Sequence, residues 1–113
     1  MEFDSNKPIY IQIADNITNR ILSGELKPGS RIPSVREWGA GIGVNPNTVA
    51  RSYDLLSNRG VIYNQRGIGF FVANDALDTI KSAERRKFIE EDYPAFRLRA
   101  ELLGVNLKDL ITK

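Results

Sequence analysis

Ile9, Ile13, Ile17 and Ile21 recur every four residues, with Tyr10 and Ala14 beside them. This spacing predicts an amphipathic first helix with one apolar stripe turned to a core. Pro8 suits its first helical position and Gly24 the position just past its last turn. Lys27-Pro28-Gly29-Ser30 then reads as a turn, leaving Arg31-Ile32 room for only a very short strand before Pro33.

From Pro33 the pattern changes. Ser34 to Glu37 has the form of a capping box, opening a helix over about Val35 to Ile42 that Gly43 ends. Gly39 and Gly41 lie inside it, each costing on the order of 1 kcal/mol relative to alanine, so packing must hold this helix. The bulky Trp38 beside them is the expected reason for small residues. Asn45 as N-cap and Pro46 at N1 open a second helix, with Val44 placed to staple against Val49. The three or four residues between the two helices match a helix-turn-helix turn. On the second helix Val49, Tyr53 and Leu56 share one face, while Asn47, Arg51, Asp54 and Asn58 fall on the other. Gly60 closes it. Val61-Ile62-Tyr63 and Phe70-Phe71-Val72 then read as two strands of a hairpin, joined by Asn64 to Gly69 with Arg66, Gly67 and Gly69 at the tip.

Beyond Asn74 the chain turns to helix formers and charges. Leu77, Ile80, Glu84 and Phe88 mark one helical repeat, capped by Asn74 or Asp75. Asp92 reads as the N-cap of a further helix near Pro94 that runs through Leu103, with Phe96, Ala100 and Leu103 on one face. Gly104-Val105-Asn106 repeats the earlier stop, staple and cap, and Asn106 to Asp109 forms a second capping box. The expected fold is mostly α with a small β-hairpin wing: a winged helix-turn-helix over residues 1–73, then a short helical region over 74–113.

Composition narrows the function. The 113 residues contain no cysteine and no histidine, which removes disulfides, thiol chemistry, imidazole acid–base catalysis and thiolate or imidazole metal ligands. No paired carboxylate constellation stands out, so no catalytic residue, metal or cofactor is expected. No apolar run approaches the roughly 20 residues that span a bilayer, and no signal-peptide pattern opens the chain, so a cytoplasmic protein away from membranes is expected. The net charge of +2 says little, but its distribution says more. Between Lys27 and Arg66 stand six basic residues against Glu37 and Asp54, whereas the tail from Asn74 holds eight of each sign. A phosphate-facing surface fits that excess, with an ordinary solvated surface as the competing reading.

Asn47 and Arg51 stand one turn apart on the polar face of the second helix, where Asn suits adenine and Arg suits guanine in a major groove. Ser34 and Thr48 sit near helix N-termini that suit phosphate oxygens, with capping as the alternative duty.

Several ordered motifs resemble one family. They are Pro8-Ile9-Tyr10, Gln12-Ile13, Gly24-x-Leu26-x-Pro28-Gly29, Pro33-Ser34-x-Arg36-Glu37, Gly43-Val44-Asn45-Pro46-Asn47-Thr48-Val49, Arg51-x-Tyr53 and Arg66-Gly67-x-Gly69-x-Phe71-Val72. Together they resemble the GntR family of bacterial winged helix-turn-helix transcription regulators. Asn45 to Arg51 and the short tail resemble its YtrA subfamily, in which a winged helix is joined to a helical dimerisation region. Gly39 and Ile42 depart from the alanine and leucine usual in the first helix of the pair. Pro46 and Ala50 stand where other branches carry arginines, so base contacts by those arginines do not transfer.

The resemblance implies a homodimeric regulator, a repressor, that binds an inverted-repeat operator in double-stranded DNA. It implies DNA contacts from Ser34, Arg36, Asn45, Asn47, Thr48, Arg51, Arg66, Gly67 and Gly69. For Arg36 a surface ion pair with Glu37 or Asp54 is the alternative, and for the glycines a plain hairpin turn. Tyr53, Val49, Trp38 and Phe71 are assigned to the core. The tail's apolar stripes are expected to pack on a second copy, with packing back on Ile17 and Ile21 as the monomeric alternative. The tail is short for enclosing a small-molecule effector within one subunit, and a dimer-interface pocket is the place left open for an unidentified one. A protein-interaction module with an acidic partner is the second functional class.

Overall fold

The computed structural model describes residues 2–112 and divides the chain into two compact units, Met1–Ile80 and Lys81–Lys113. In the first unit, helix α1 (Ile9–Leu22) starts one residue later than expected, with Pro8 at the N-cap rather than at the first helical position. Ile13, Ala14, Ile17 and Ile21 are fully buried, so the period-four stripe does form core. Ile9 does not join it. At 44% exposure it lies in the first turn, beyond the edge of the packed surface.

Helix α2 (Val35–Ile42) has the expected bounds, and Ser34 Oγ accepts the Glu37 backbone N–H at 3.1 Å. Among the described residues only this serine half of the capping box forms. Gly43 ends the helix at φ 71°, a left-handed conformation that costs glycine little. The reason for Gly39 is not Trp38. A Cβ there would lie 2.6 Å from the Val44 carbonyl oxygen, because the turn into the next helix folds back across it. Gly41 meets nothing within 4 Å.

Helix α3 (Pro46–Asn58) is capped by Asn45, whose Oδ1 accepts the Asn47 N–H at 2.8 Å, with Pro46 inside the first turn. Its apolar face is buried as expected: Val49, Tyr53 and Leu56 are inaccessible. Ser52 is buried too, although it is polar. It is satisfied by donating from Oγ to the Tyr10 carbonyl at 2.7 Å, which ties α3 to the start of α1.

Strands β1 (Ile62–Gln65) and β2 (Gly69–Val72) pair antiparallel, with Ile62 opposite Val72 and Gln65 opposite Gly69. Each strand extends further toward the tip than the apolar residues alone suggested, leaving Arg66-Gly67-Ile68 as the turn. Arg31 forms a single bridge to Phe71, and the Ile32 N–H donates to the Phe70 carbonyl at 3.0 Å. The short Arg31-Ile32 strand is thus one bridge, laid along the free edge of β2. Phe71 is not core. It stacks on Tyr63 on the outer face of the hairpin, whereas its neighbour Phe70 meets Tyr53 edge-on at 4.9 Å. Alternation along a strand makes neighbours face opposite ways, and the register assigns Phe70 inward.

Helix α4 (Ala76–Lys87) contributes Ala76 and Ile80 to the same buried cluster as Ile13, Ile17 and Ile21. It then continues through a π-helical turn, Phe88–Asp92, directly into α5 (Tyr93–Leu103). Asp92 is helical and caps nothing; its carboxylate instead accepts from Lys87 Nζ at 3.1 Å. The break expected at Pro94 is avoided because the wider turn, with the Tyr93 N–H bonded to the Phe88 carbonyl, reroutes the backbone bonds that proline disrupts. Gly104 stops α5 at φ 68°, and α6 (Leu107–Ile111) follows. Asn106 caps α6 through the Lys108 N–H at 3.0 Å, not through the Asp109 N–H that a capping box would use. In the second unit Ala100 alone is buried among the large and small apolar residues described.

Candidate nucleic-acid interface

The polar face of α3 is open to solvent. Asn47, Arg51, Asp54 and Asn58 are all exposed, opposite the buried Val49, Tyr53 and Leu56. Asn47 and Arg51 therefore project from the same side of the helix, one turn apart and near its N-terminus. Where α2 and α3 converge, a shallow depression of about 600 Å³ is lined by Val35, Arg36, Asn45, Pro46, Asn47 and Ala50. The fold thus brings Arg36, Asn45 and Asn47 together from two helices. Arg51 lies outside that depression.

The capping duties leave donors free. Asn45 spends its Oδ1 on the Asn47 N–H and keeps its amide N–H₂. Ser34 accepts from Glu37 and still has a hydroxyl proton to give. Thr48 is partly buried in the first turn of α3. Residues of the first turns of both helices line this region, and helix N-termini favour anions.

At the hairpin, Arg66 and Gly67 occupy the exposed turn, and Gly67 takes φ 80°. Gly69 does not belong to the tip. It opens β2 opposite Gln65, and a Cβ on it would lie 2.9 Å from Arg31 Nε. Its smallness lets the Arg31 guanidinium lie against the strand pair next to the turn. Arg31 was not singled out from the sequence; the run of basic residues contained it, but only the bridge to Phe71 brings it beside the wing.

The electrostatics of this surface follow from what is missing around its cations. Among the described residues, Arg31, Arg36, Arg51 and Arg66 have no carboxylate within 4 Å, and the ion pairs that form lie elsewhere, between Lys7 and Asp15, Arg20 and Glu25, Lys87 and Asp92, and Arg97 and Glu101. The ion pair considered for Arg36 with Glu37 or Asp54 does not form. Unpaired guanidinium groups keep their donors and their field directed outward. Beneath them Tyr53 locks the turn: its hydroxyl donates to the Pro33 carbonyl at 2.6 Å. Burial, with the Glu37 charge as a lesser cause, pushes the Tyr53 phenol well above its usual value, so it stays a donor.

Two antiparallel strands following a tri-helical core, with an exposed polar helix in second place of a helix-turn-helix, define a winged-helix DNA-binding protein. Residues 9–72 match the family described as "Bacterial regulatory proteins, gntR family". The chain belongs to the GntR family of transcriptional regulators.

It is 43% identical to the uncharacterized HTH-type transcriptional regulator YhcF of Bacillus subtilis, over 97% of this chain and 89% of that one. With the HTH-type transcriptional repressor YtrA of Bacillus subtilis it shares 36% identity over 94% of this chain and 81% of the other. Among solved structures, a GntR family transcriptional regulator from Listeria monocytogenes superposes with a TM-score of 0.82 at 31% identity, covering 97% of this chain and 95% of that one. The AraR DNA-binding domain in complex with its operator ORR3 matches at a TM-score of 0.58 and 32% identity, covering 65% of this chain and 86% of that one. These relatives are regulators, not enzymes. Among the described residues no helix is long and apolar enough to cross a membrane, and no group of three or more carboxylates could hold a metal ion.

Proposed function

We propose that this protein is a homodimeric, sequence-specific repressor that binds an inverted-repeat operator. Helix α3 enters the major groove, where Arg51 reads guanine and Asn47 reads adenine through their forked donors and acceptors. Arg36, Ser34, Asn45 and Thr48 hold the DNA backbone, and Arg66 with Gly67 brings the wing to the minor groove; Gly69 supports the wing by leaving room for Arg31. The observation that carries this reading is the exposed α3 face, with unpaired arginines on it and on either side of it. The repressor named YtrA and the operator-bound AraR domain support it as relatives of similar build.

Dimerisation through the helical tail is supported by the second unit itself. Phe88, Ile89, Phe96, Leu98, Leu102 and Leu103 are each more than half exposed, and Leu102 reaches 71%. Apolar surface of that extent on 33 residues calls for a partner, and a second copy satisfies the two-fold symmetry of an inverted repeat. The start of the tail takes the intramolecular course, Ala76 and Ile80 being buried in one cluster with Ile17 and Ile21, whereas the exposed apolar residues from Phe88 onward do not join that cluster.

Selecting bound fragments from a random DNA library and competing them against unselected DNA tests the proposal. A selected inverted repeat should outcompete random DNA by at least about 10³-fold, with affinity falling steeply as salt rises. Failure to enrich any sequence would overturn it.

A further inference from the structure

Arg51 does not hang free in solvent. Its guanidinium carbon lies 3.9 Å from the centre of the Tyr10 ring, on the first turn of α1. The backbone that carries the ring is itself anchored. Ser52, the residue next to Arg51, donates from its buried Oγ to the Tyr10 carbonyl at 2.7 Å, so the backbone that carries the ring is tied to the helix that carries the arginine. Tyr10 is half-buried and Arg51 is exposed, with no carboxylate within 4 Å.

Stacking on an aromatic ring uses the face of the guanidinium, whereas bidentate recognition of guanine uses its N–H edge. The two can therefore hold at once. A long arginine side chain otherwise loses much rotamer freedom on contacting a base, and prior stacking removes part of that loss.

We propose that Tyr10 is a positioning residue for DNA reading, its ring serving as a platform that holds the Arg51 guanidinium ready for a base edge. This rests on Arg51 being a base reader, as set out above. The geometry explains why the platform comes from α1, a helix outside the helix-turn-helix pair: that helix is hydrogen-bonded to α3 at the neighbouring residue.

The test is a double-mutant cycle on the full chain, measured on a selected operator fragment and on random DNA. Tyr10→Leu should weaken operator binding roughly two- to fivefold and leave random DNA unchanged. Tyr10→Phe, which keeps the ring, should bind like the wild type. In an Arg51→Ala background, Tyr10→Leu should add nothing. If Tyr10→Leu fails to fold, Tyr10→Met carries the same comparison. Equal losses for Tyr10→Phe and Tyr10→Leu would show a hydroxyl contact to DNA and overturn the platform, as would additive losses in the cycle or an equal loss on random DNA. Those results would leave the operator reading standing. A wild type that enriches no operator would instead overturn Arg51 as a reader, and the platform with it.

Discussion

The two glycines of α2 should respond to alanine with opposite signs. Intrinsic helix propensity favours alanine over glycine by about 1 kcal/mol at either position. At Gly41 the new methyl meets nothing within 4 Å, so Gly41→Ala should stabilise by roughly 0.5–1 kcal/mol. At Gly39 the added Cβ would sit 2.6 Å from the Val44 carbonyl oxygen, with Val49 Cγ2 at 3.5 Å and the Pro46 nitrogen at 3.6 Å. That oxygen belongs to the backbone of the helix-turn-helix turn, and the Val44 N–H is itself bonded to the Gly39 carbonyl at 2.9 Å, so the turn cannot swing aside alone. Overpacking costs about 1–3 kcal/mol, and with backbone as the obstacle the upper part of that range applies, leaving a net loss of about 1–2 kcal/mol after the propensity gain. For a unit of this size each 1 kcal/mol moves the melting temperature by about 4–8 °C. Thermal melts followed by circular dichroism at one protein concentration should place Gly41→Ala a few degrees above the wild type. Gly39→Ala should fall about 5–10 °C below it and should also bind operator less well, because α3 is displaced relative to α2. A Gly39→Ala protein that melts at or above the wild type would refute the reasoning.

Tyr53→Phe removes the hydroxyl that satisfies the Pro33 carbonyl and should cost about 1–2 kcal/mol near neutral pH in urea titrations. Burial raises the phenol above its usual value of 10.0, so its contribution is intact below pH 10 and is lost as pH rises through the folded-state value. The gap in stability between wild type and Tyr53→Phe should therefore narrow at strongly alkaline pH, and a constant gap would argue against a buried neutral phenol. Arg66→Ala should weaken operator and random DNA alike and lower the salt slope of binding by about one; a loss confined to the operator would make Arg66 a base reader. Serine at both Phe96 and Leu102, which are 58% and 71% exposed, should shift sedimentation from dimer to monomer while α-helical content is retained. An unchanged mass would place the interface elsewhere.

Much of this architecture could be read from local signals because local physics sets it. The bounds of α2, the Asn45 cap, the Pro46 start and the buried Val49, Tyr53 and Leu56 depend on capping chemistry and a 3.6-residue period, both written in a few adjacent residues. The same holds for the exposed placement of Asn47 and Arg51. Signals that needed a partner elsewhere in the chain were read less well. Asp92 and Pro94 look like a helix start, yet a π-turn carries the helix through them. Phe70 and Phe71 cannot be told apart until the pairing register turns one inward.

What the amino-acid order determined by itself was the sequence of helices and hairpin, and the polar face presented by α3. Only the tertiary structure decided why Gly39 must be glycine, why Gly69 belongs under Arg31 rather than at the tip, and where Arg51 rests. Each of those depends on a group outside the element that carries the residue: a carbonyl across a turn, a guanidinium from the neighbouring edge, a ring on another helix. Periodicity reports which side of an element faces inward, but it carries no record of which atom waits there.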